Sequence, residues 1–319
     1  MNLAAIEIGS HTARLLVVRE PTGPRPFSEL ARKREYIRLA DGINGREGEG
    51  ITPAATERAL KAVTGFQAVA AELSATIAGA VVTGVVRQAV NRREFLQAFR
   101  DQTGIDAKLI SGEEEALLTA LGVMSALELA SEEVTVFDLG GGSTEFVLTA
   151  GGNTTGTSLP LGAAVLSQRF LPGDPPDESQ FKRLSTHVDD VLEEAFPRGP
   201  SSGGRTTLVG TGGTVTTLAA MIHRIDLKDL TAARFNGLAL TRAELVSLFD
   251  QLKGTTLAER LKMPGLDRGR ADVILGGAGA VIRILHCFGA QRMLVSLSDL
   301  LEGILIAFLQ ETVDSSFHP

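Results

Sequence analysis

The chain has no tryptophan, one tyrosine (Tyr36) and one cysteine (Cys287) among 319 residues. A single cysteine excludes an intramolecular disulfide and a multi-cysteine zinc site. With aromatics at 5%, a base-stacking platform for nucleic acid would have to be built from phenylalanine alone. Positive charge is also short: 31 Lys and Arg stand against 38 Asp and Glu, a net charge of −7. Generic binding of nucleic acid or of an anionic membrane needs a basic face, so neither is expected as a partner. The five histidines, among them His286 beside Cys287, show no metal-ligand spacing. Long apolar runs are missing too. The longest, Ala116–Leu127 and Val273–Ile282, fall short of the ~20 residues that span a bilayer. The first nine residues lack a basic segment and carry Glu7 within their apolar stretch, so no targeting signal is read and the cytoplasm is the expected location.

What the chain has in quantity is glycine, 35 residues, and these cluster. The length suits about two domains. Leu3–Ile8 and Ala13–Arg19 read as strands joined by Gly9-Ser10-His11-Thr12, and a third strand is expected around Tyr36–Leu39. A glycine-rich loop follows from Asp41 to Gly50. Thr52-Pro53 opens a helix to about Leu73, with Thr as N-cap and Pro in the first turn. Ile77–Val82 and Asp106–Ile110 read as strands. Asn91 with Glu94 opens one helix, and Ser111-x-x-Glu114 is a capping box opening another to about Leu129. The pattern then repeats. Val134–Asp138, a Gly140-Gly141-Gly142 turn and Glu145–Thr149 form a second strand–turn–strand unit. Ile6–Thr12 lies over Phe137–Ser143 at a constant offset of 131 residues, the mark of a domain-scale duplication. Thr207–Val209 enters Gly210-Thr211-Gly212-Gly213-Thr214, which opens a helix to Met221. Thr241-x-x-Glu244 caps a further helix, and the rest is expected to be mostly helical. A linker is placed at 130–133, with surface loops at 172–176 and 197–204. The expected domains are therefore 1–129 and 130–319, the last helix being free to pack back on the first.

Three glycine-rich turns sit at strand ends: Gly9-Ser10, Gly140–Ser143 and Gly210–Thr214. Glycine lets consecutive backbone N–H groups approach a ligand and form an anion-binding nest. The hydroxyls of Ser10, Thr12, Ser143, Thr144, Thr211 and Thr214 add donors, and the Gly210 turn feeds a helix N-terminus. Phosphate is the expected ligand, although none of the turns is a P-loop or a dinucleotide fingerprint. An acid precedes each duplicated turn, Glu7 and Asp138, in apolar strand sequence where an unpaired charge is expensive. Hard oxygen ligands beside phosphate point to Mg²⁺. Arg87 ends the Thr83–Val86 segment, where it could grip phosphate or make an interdomain salt bridge; both stay open. The capping box and helix dipole explain Glu113 and Glu114, which leaves Glu115 over. Arg32-Lys33-Arg34, Arg92–Arg93 and Arg268–Arg270 are candidates for a basic tract.

Taken together, these residues resemble the exopolyphosphatase / guanosine pentaphosphate phosphatase (Ppx/GppA) family. Glu7-Ile8-Gly9-Ser10-His11-Thr12 matches its Asp-x-Gly-Ser-Asn-Ser/Thr opening, with Glu for Asp and His for Asn. Thr83–Arg87 with Asn91, Ile110–Ala116, the intact Asp138–Glu145 motif, Gly210–Thr214 and Gly265 through Asp272 follow in family order. Val295–Gly303 matches Val-Ser-Asp-x-Gly-Leu-Arg-Glu-Gly without its Arg. The resemblance is to the short, two-domain form. It implies an α/β fold of the actin-like (sugar-kinase-like) ATPase superfold: two duplicated ribonuclease-H-like domains with an interdomain cleft. It implies metal-dependent release of terminal orthophosphate from inorganic polyphosphate. The alternatives are 5′-phosphate removal from guanosine pentaphosphate, or a sensor of polyphosphate or guanosine tetraphosphate with weakened catalysis. The implied roles are Glu115 as base with Arg87 beside it, and Asp138, Glu145 and Glu7 for Mg²⁺, with Mn²⁺ as the other candidate ion. Phosphate contacts fall to Gly9, Ser10, Thr12, Gly140, Gly141, Gly142, Ser143, Gly210, Thr211, Gly213 and Thr214. A homodimer is left open.

Overall fold

A computed structural model of the chain describes residues 1–20, 27–41, 49–129, 133–197 and 206–316. Most of the glycine-rich loop expected after Asp41, of the linker expected at 130–133 and of the loop expected at 197–204 lies outside the described residues. In chain order the elements are β1 (Asn2–Ile8), β2 (Thr12–Arg19), β3 (Ser28–Tyr36), α1 (Pro53–Glu72), β4 (Ala75–Val82), α2 (Arg92–Thr103), β5 (Lys108–Leu109) and α3 (Gly112–Ala126). There follow β6 (Val134–Leu139), β7 (Thr144–Ala150), β8 (Asn153–Leu159), α4 (Ala163–Phe170), α5 (Glu178–Ala195), β9 (Thr207–Thr211) and α6 (Gly213–His223). The chain ends with α7 (Ala232–Phe235), β10 (Ala239–Thr241), α8 (Arg242–Lys253), α9 (Leu257–Arg260), α10 (Ile274–Cys287), β11 (Arg292–Val295) and α11 (Leu300–Ser316). No helix among the described residues is long and apolar enough to cross a membrane.

The chain divides into two compact units. The first is Met1–Ala126 together with the chain from Ser298 onward; the second is Leu127–Leu297. The first unit holds a five-stranded sheet in the order β3-β2-β1-β4-β5, and the second a six-stranded sheet in the order β10-β11-β9-β6-β7-β8. Read from its β8 edge, the second sheet repeats the first and adds β10. In each, three strands run antiparallel and the third pairs in parallel with a strand that follows a helix. Duplication is thus written in topology as well as in sequence.

Local chemistry explains most boundaries. Thr52 caps α1, its hydroxyl accepting from the Ala55 amide (3.2 Å), with Pro53 in the first turn. Ser111 and Glu114 form the reciprocal capping box of α3, and Thr241 with Glu244 that of α8. Each such cap contributes about 1 kcal/mol. Asn91 stands at the start of α2 but does not cap it. Its side chain instead clamps Ile51, accepting from its amide and donating to its carbonyl, both at 2.8 Å.

In the first unit α3 and α11 cross on one face of the sheet, over a core that includes Leu3, Ala5, Leu16, Val18, Leu301 and Ile304. Two glycines set the crossing. A Cβ at Gly122 would stand 1.9 Å from the Asp299 carbonyl oxygen, and one at Gly303 would stand 1.9 Å from that of Leu118. Where α11 begins, acids meet arginines of the sheet. Arg14 binds Asp299, and Arg32 binds Glu302 and Glu29. Burial pushes the Glu302 carboxyl up, against the downward pull of Arg32. In the second unit Phe137, Phe146, Phe196 and Phe288 stack with ring centroids 5.3–6.2 Å apart, joining the sheet to the ends of α5 and α10.

Two expectations are corrected and one strand is added. The third strand is Ser28–Tyr36 and not Tyr36–Leu39, because Arg38 takes a left-handed backbone (φ 48°) that ends extended pairing. The α3 helix stops at Ala126, three residues early. The chain after Thr241 is mostly helical as expected, but it also carries one strand that the sequence reading did not place. β11 lies inside the second sheet, parallel to β9, and its four residues are too few to show a period.

The α3–α11 crossing gives a direct test. Gly303→Ala forces a methyl into the Leu118 backbone, and we expect a loss of about 1–3 kcal/mol in thermal or denaturant unfolding. Gly104→Ala cannot serve as a neutral control, because Gly104 has φ +69°; exposed Gly254, where a Cβ would meet nothing within 4 Å, can.

Candidate active site

The two duplicated turns are built alike. The Gly9 amide donates to the Thr12 carbonyl (2.9 Å) and the Gly140 amide to that of Ser143 (3.0 Å). Either closure leaves two intervening residues free to present N–H groups. In the second unit the Gly140 and Gly141 carbonyls accept from Ala163 and Ala164 at the start of α4 (2.9 and 3.0 Å). A Cβ on Gly162 would stand 2.2 Å from the Gly142 carbonyl carbon. The carbonyls are therefore committed to the helix, and no backbone carbonyl among the described residues takes the Gly141 or Gly142 amide. Such a pair of amides is an anion nest. The Thr144 hydroxyl, counted as a donor from sequence, is spent on the Leu161 carbonyl (2.9 Å). In the first unit the Ser10 hydroxyl oxygen accepts from the Val85 amide (2.9 Å), and Thr12 is buried.

The third turn lies in the second unit. Gly212 takes φ +91°, a conformation that favours glycine, and a Cβ there would meet Asp138 Oδ1 at 2.5 Å. The chain then enters α6, whose first amides have no partner within the helix. The Thr211 and Thr214 hydroxyls are fully buried with no hydrogen-bond partner among the described residues, and buried hydroxyls are rarely left so. Gly210 packs against Phe137. A Cβ at Gly213 would stand 1.7 Å from the Arg270 guanidinium, so glycine here admits a buried cation to the helix N-terminus. In the sequence Arg270 belongs to a candidate basic tract and to the resembled Gly265–Asp272 motif; the structure sets it on the phosphate-type turn.

The acids preceding the turns have opposite surroundings. Glu7 pairs in register with Arg14, and Arg14 binds both Glu7 and Asp299. The Thr83 hydroxyl donates to Glu7 at 3.4 Å. Glu7, expected as a metal ligand, already holds a guanidinium. Arg14 was not singled out from sequence, and its signal was its place, seven residues after the acid. In the second unit Asp138 pairs in register with Glu145, so two carboxylates project from one face, and both are buried. The Ser158 hydroxyl donates to Glu145 Oε1 (2.7 Å). Among the described residues no group of three or more His, Cys, Asp or Glu could enclose a metal ion. Two carboxylates are what Mg²⁺ commonly takes from a protein, with water and phosphate oxygens completing its octahedron. The donor set therefore fits.

Glu115 is the surplus acid of α3. Glu114 is held below the usual carboxylate range by the Ser111 amide and by Lys108, and Glu113 is exposed. Glu115 is 5% exposed and binds the Arg87 guanidinium. Arg87, placed by the short helical turn Gly84–Arg87, thus makes an ion pair within the first unit, the partner being the acid whose role sequence left open.

A model of the Ppx/GppA phosphatase family matches residues 16–312. The chain belongs to the Ppx/GppA phosphatase family. It is similar to Exopolyphosphatase 2 of Mycobacterium tuberculosis, 31% identical over 96% of this chain and 98% of that one. A crystal structure of the Aquifex aeolicus family member aligns with TM-score 0.78 and 28% identity, covering 100% of this chain and 99% of that chain. An exopolyphosphatase structure from Cytophaga hutchinsonii aligns with TM-score 0.86 and 25% identity over 98% of each. As a family member, the chain has the actin-like ATPase fold and is a hydrolase of phosphorus-containing acid anhydrides.

The Glu7–Arg14–Asp299 chain predicts a stability effect. Arg14→Ala leaves two buried carboxylates without their cation, and should cost about 3–5 kcal/mol in unfolding. In Arg14→Ala/Asp299→Asn the loss should be smaller than the sum of the single losses. An additive cycle would mean the contact carries no coupling.

Proposed function

We propose that the protein is an exopolyphosphatase, releasing orthophosphate from the end of inorganic polyphosphate. The observation that carries this reading is the second unit's constellation. Two buried carboxylates stand in register beside one glycine-rich turn whose Gly141 and Gly142 amides meet no backbone carbonyl, and another whose buried Thr211 and Thr214 hydroxyls have no partner, among the described residues. The names of the M. tuberculosis and C. hutchinsonii relatives support the polymer as substrate over guanosine pentaphosphate.

In this reading Asp138 and Glu145 hold Mg²⁺, or Mn²⁺ in its place. Such an ion neutralises phosphate charge and steadies the leaving oxygen when bound. Amides of the Gly9–Thr12, Gly140–Ser143 and Gly210–Thr214 turns bind phosphate oxygens and stabilise the charge that grows on them. Glu115 orients a water and accepts its proton. The water oxygen forms a bond to the terminal phosphorus in line, the bridging P–O bond breaks, and the shortened chain leaves as an oxyanion. Arg87 orients the Glu115 carboxylate and is drawn to phosphate when substrate arrives. Glu7, held by Arg14, acts as a positioning residue for the first turn.

Phosphate release is measured on polyphosphate, guanosine pentaphosphate and ATP, with and without Mg²⁺. We expect turnover of polyphosphate that Glu115→Gln lowers by about 10²–10⁴-fold with unchanged melting temperature. Full activity in that variant would remove Glu115 from the role of base. Tight polyphosphate binding with no turnover in the wild type would replace the enzyme by a sensor. Independently of activity, Mg²⁺ should raise the melting temperature of the wild type and not of Asp138→Asn.

A further inference from the structure

The first unit has a cavity of about 530 Å³ between β3 and α1 to which no role has been given. One helix face forms its floor: Arg58, Lys61, Ala62, Gly65, Phe66 and Val69 recur at the three- and four-residue spacing of a helix. Lys33 and Tyr36 of β3 close the other side. Its charged lining is Lys33, Arg58 and Lys61 against Glu35 alone, a cationic lining on a chain of net charge −7. The cations are differently prepared. Arg58 is fixed, donating to the carbonyls of Ile37 (2.9 Å) and Arg38 (3.3 Å), with Asp41 at 3.7 Å. Lys33 and Lys61 are exposed and come from two separate elements. Phe66, Val69 and Ile37 supply apolar wall.

Gly65 is the residue that makes the floor. It lies inside a 20-residue helix, where glycine costs about 1 kcal/mol relative to alanine. A Cβ there would meet nothing within 4 Å. Packing does not require this glycine, while the open floor does.

The wall of the cavity is also wired to the first glycine turn. The Ile37 and Arg38 amides donate to the His11 carbonyl (3.1 and 3.0 Å), and the Ala40 amide donates to that of Ser10 (2.9 Å). The Tyr36 ring meets the His11 ring edge-on at 5.4 Å. Arg58 holds the same Ile37–Arg38 segment from the cavity side. Whatever fills the cavity bears on the backbone that positions Ser10 and His11.

We propose that this cavity is a regulatory site for a small aryl-bearing anion, its charged group between Lys33 and Lys61 and its ring over Gly65 and Phe66, and that occupancy stiffens the Gly9–Thr12 turn. The volume suits one small organic ligand. Tyr36 is the only tyrosine and there is no tryptophan, so ultraviolet emission reports on this cavity alone.

The probe is 1-anilinonaphthalene-8-sulfonate on the full chain. Expected is saturable 1:1 binding, with quenching of Tyr36 emission in step with the rise of probe emission. Gly65→Leu, which fills the floor and should raise the melting temperature through helix propensity, is expected to weaken binding at least about tenfold. Lys33→Glu/Lys61→Glu should weaken it as much, and raised salt should weaken it in the wild type. Hydrogen exchange in peptides covering 9–12 and 36–40 should slow on binding in the wild type and not in Gly65→Leu. Absence of saturable binding up to about 1 mM, or affinity unchanged in both variants, overturns the site. Binding that leaves exchange at 9–12 unaltered overturns its coupling to the turn. Neither readout needs phosphate release, so the site can fail while the proposed hydrolase stands, or the reverse.

Discussion

A carboxylate on an apolar strand has to be compensated by what stands beside it, and in an antiparallel hairpin the register decides what that is. The two duplicated hairpins meet this constraint in opposite ways. Glu7 faces Arg14, and the ladder neutralises itself. Asp138 faces Glu145, and the ladder doubles the charge. The two pairs occupy equivalent places, since both members are displaced by the same 131 residues. One substitution in the second strand of the hairpin therefore separates a facing ion pair from a pair of facing carboxylates. The backbone beneath is unchanged, down to the turn-closing hydrogen bond.

The glycines divide along a similar line. At Gly140–Gly142 the turn packs so tightly on α4 that the Gly140 and Gly141 carbonyls are consumed, and the Gly141 and Gly142 amides are left for a ligand. At Gly213 the missing side chain makes room for a buried guanidinium. At Gly122 and Gly303 the same absence only lets two helices touch. All read identically in sequence, and only the neighbour brought in by the fold tells a binding glycine from a packing one.

What was legible in the sequence was local. The hairpins, the Thr52, Ser111 and Thr241 caps and the Gly210 turn all follow from residues within a few positions of each other, and each appears where the pattern put it. Spacing alone left Glu115 over without giving it a role, and only the family resemblance implied that it is the base. What escaped depended on distant partners. The β11 strand is defined by pairing with β9, some eighty residues earlier in the chain, and carries no period of its own. β3 hides its strand character because Arg32 and Lys33 are charged on both faces. Arg32 turns toward Glu302 of α11, and Lys33 lines the α1 cavity. Arg14 sits in an unremarkable stretch and gains meaning only from Glu7 and Asp299, while Arg270 lies within the resembled motif and gains its place at the turn only from Gly213.

The altered motif at Val295–Gly303 shows the same dependence most sharply. Position by position it reads as loss: Leu301 stands where the resembled motif has Arg, and Asp299 where it has Gly. In the fold the charge is relocated. The sheet supplies the guanidinium groups, Arg14 and Arg32, and the start of α11 supplies the carboxylates, Asp299 and Glu302. Asp299 also accepts from the Leu301 amide (3.1 Å) and its own amide donates to Glu302 (3.0 Å), so the acids begin the helix as well as anchoring it. Leu301 itself is fully buried in the apolar core beneath α11, where an arginine would bring in a charge. The departure therefore weighs on how α11 is held to the sheet, and through Arg14 on how Glu7 is held.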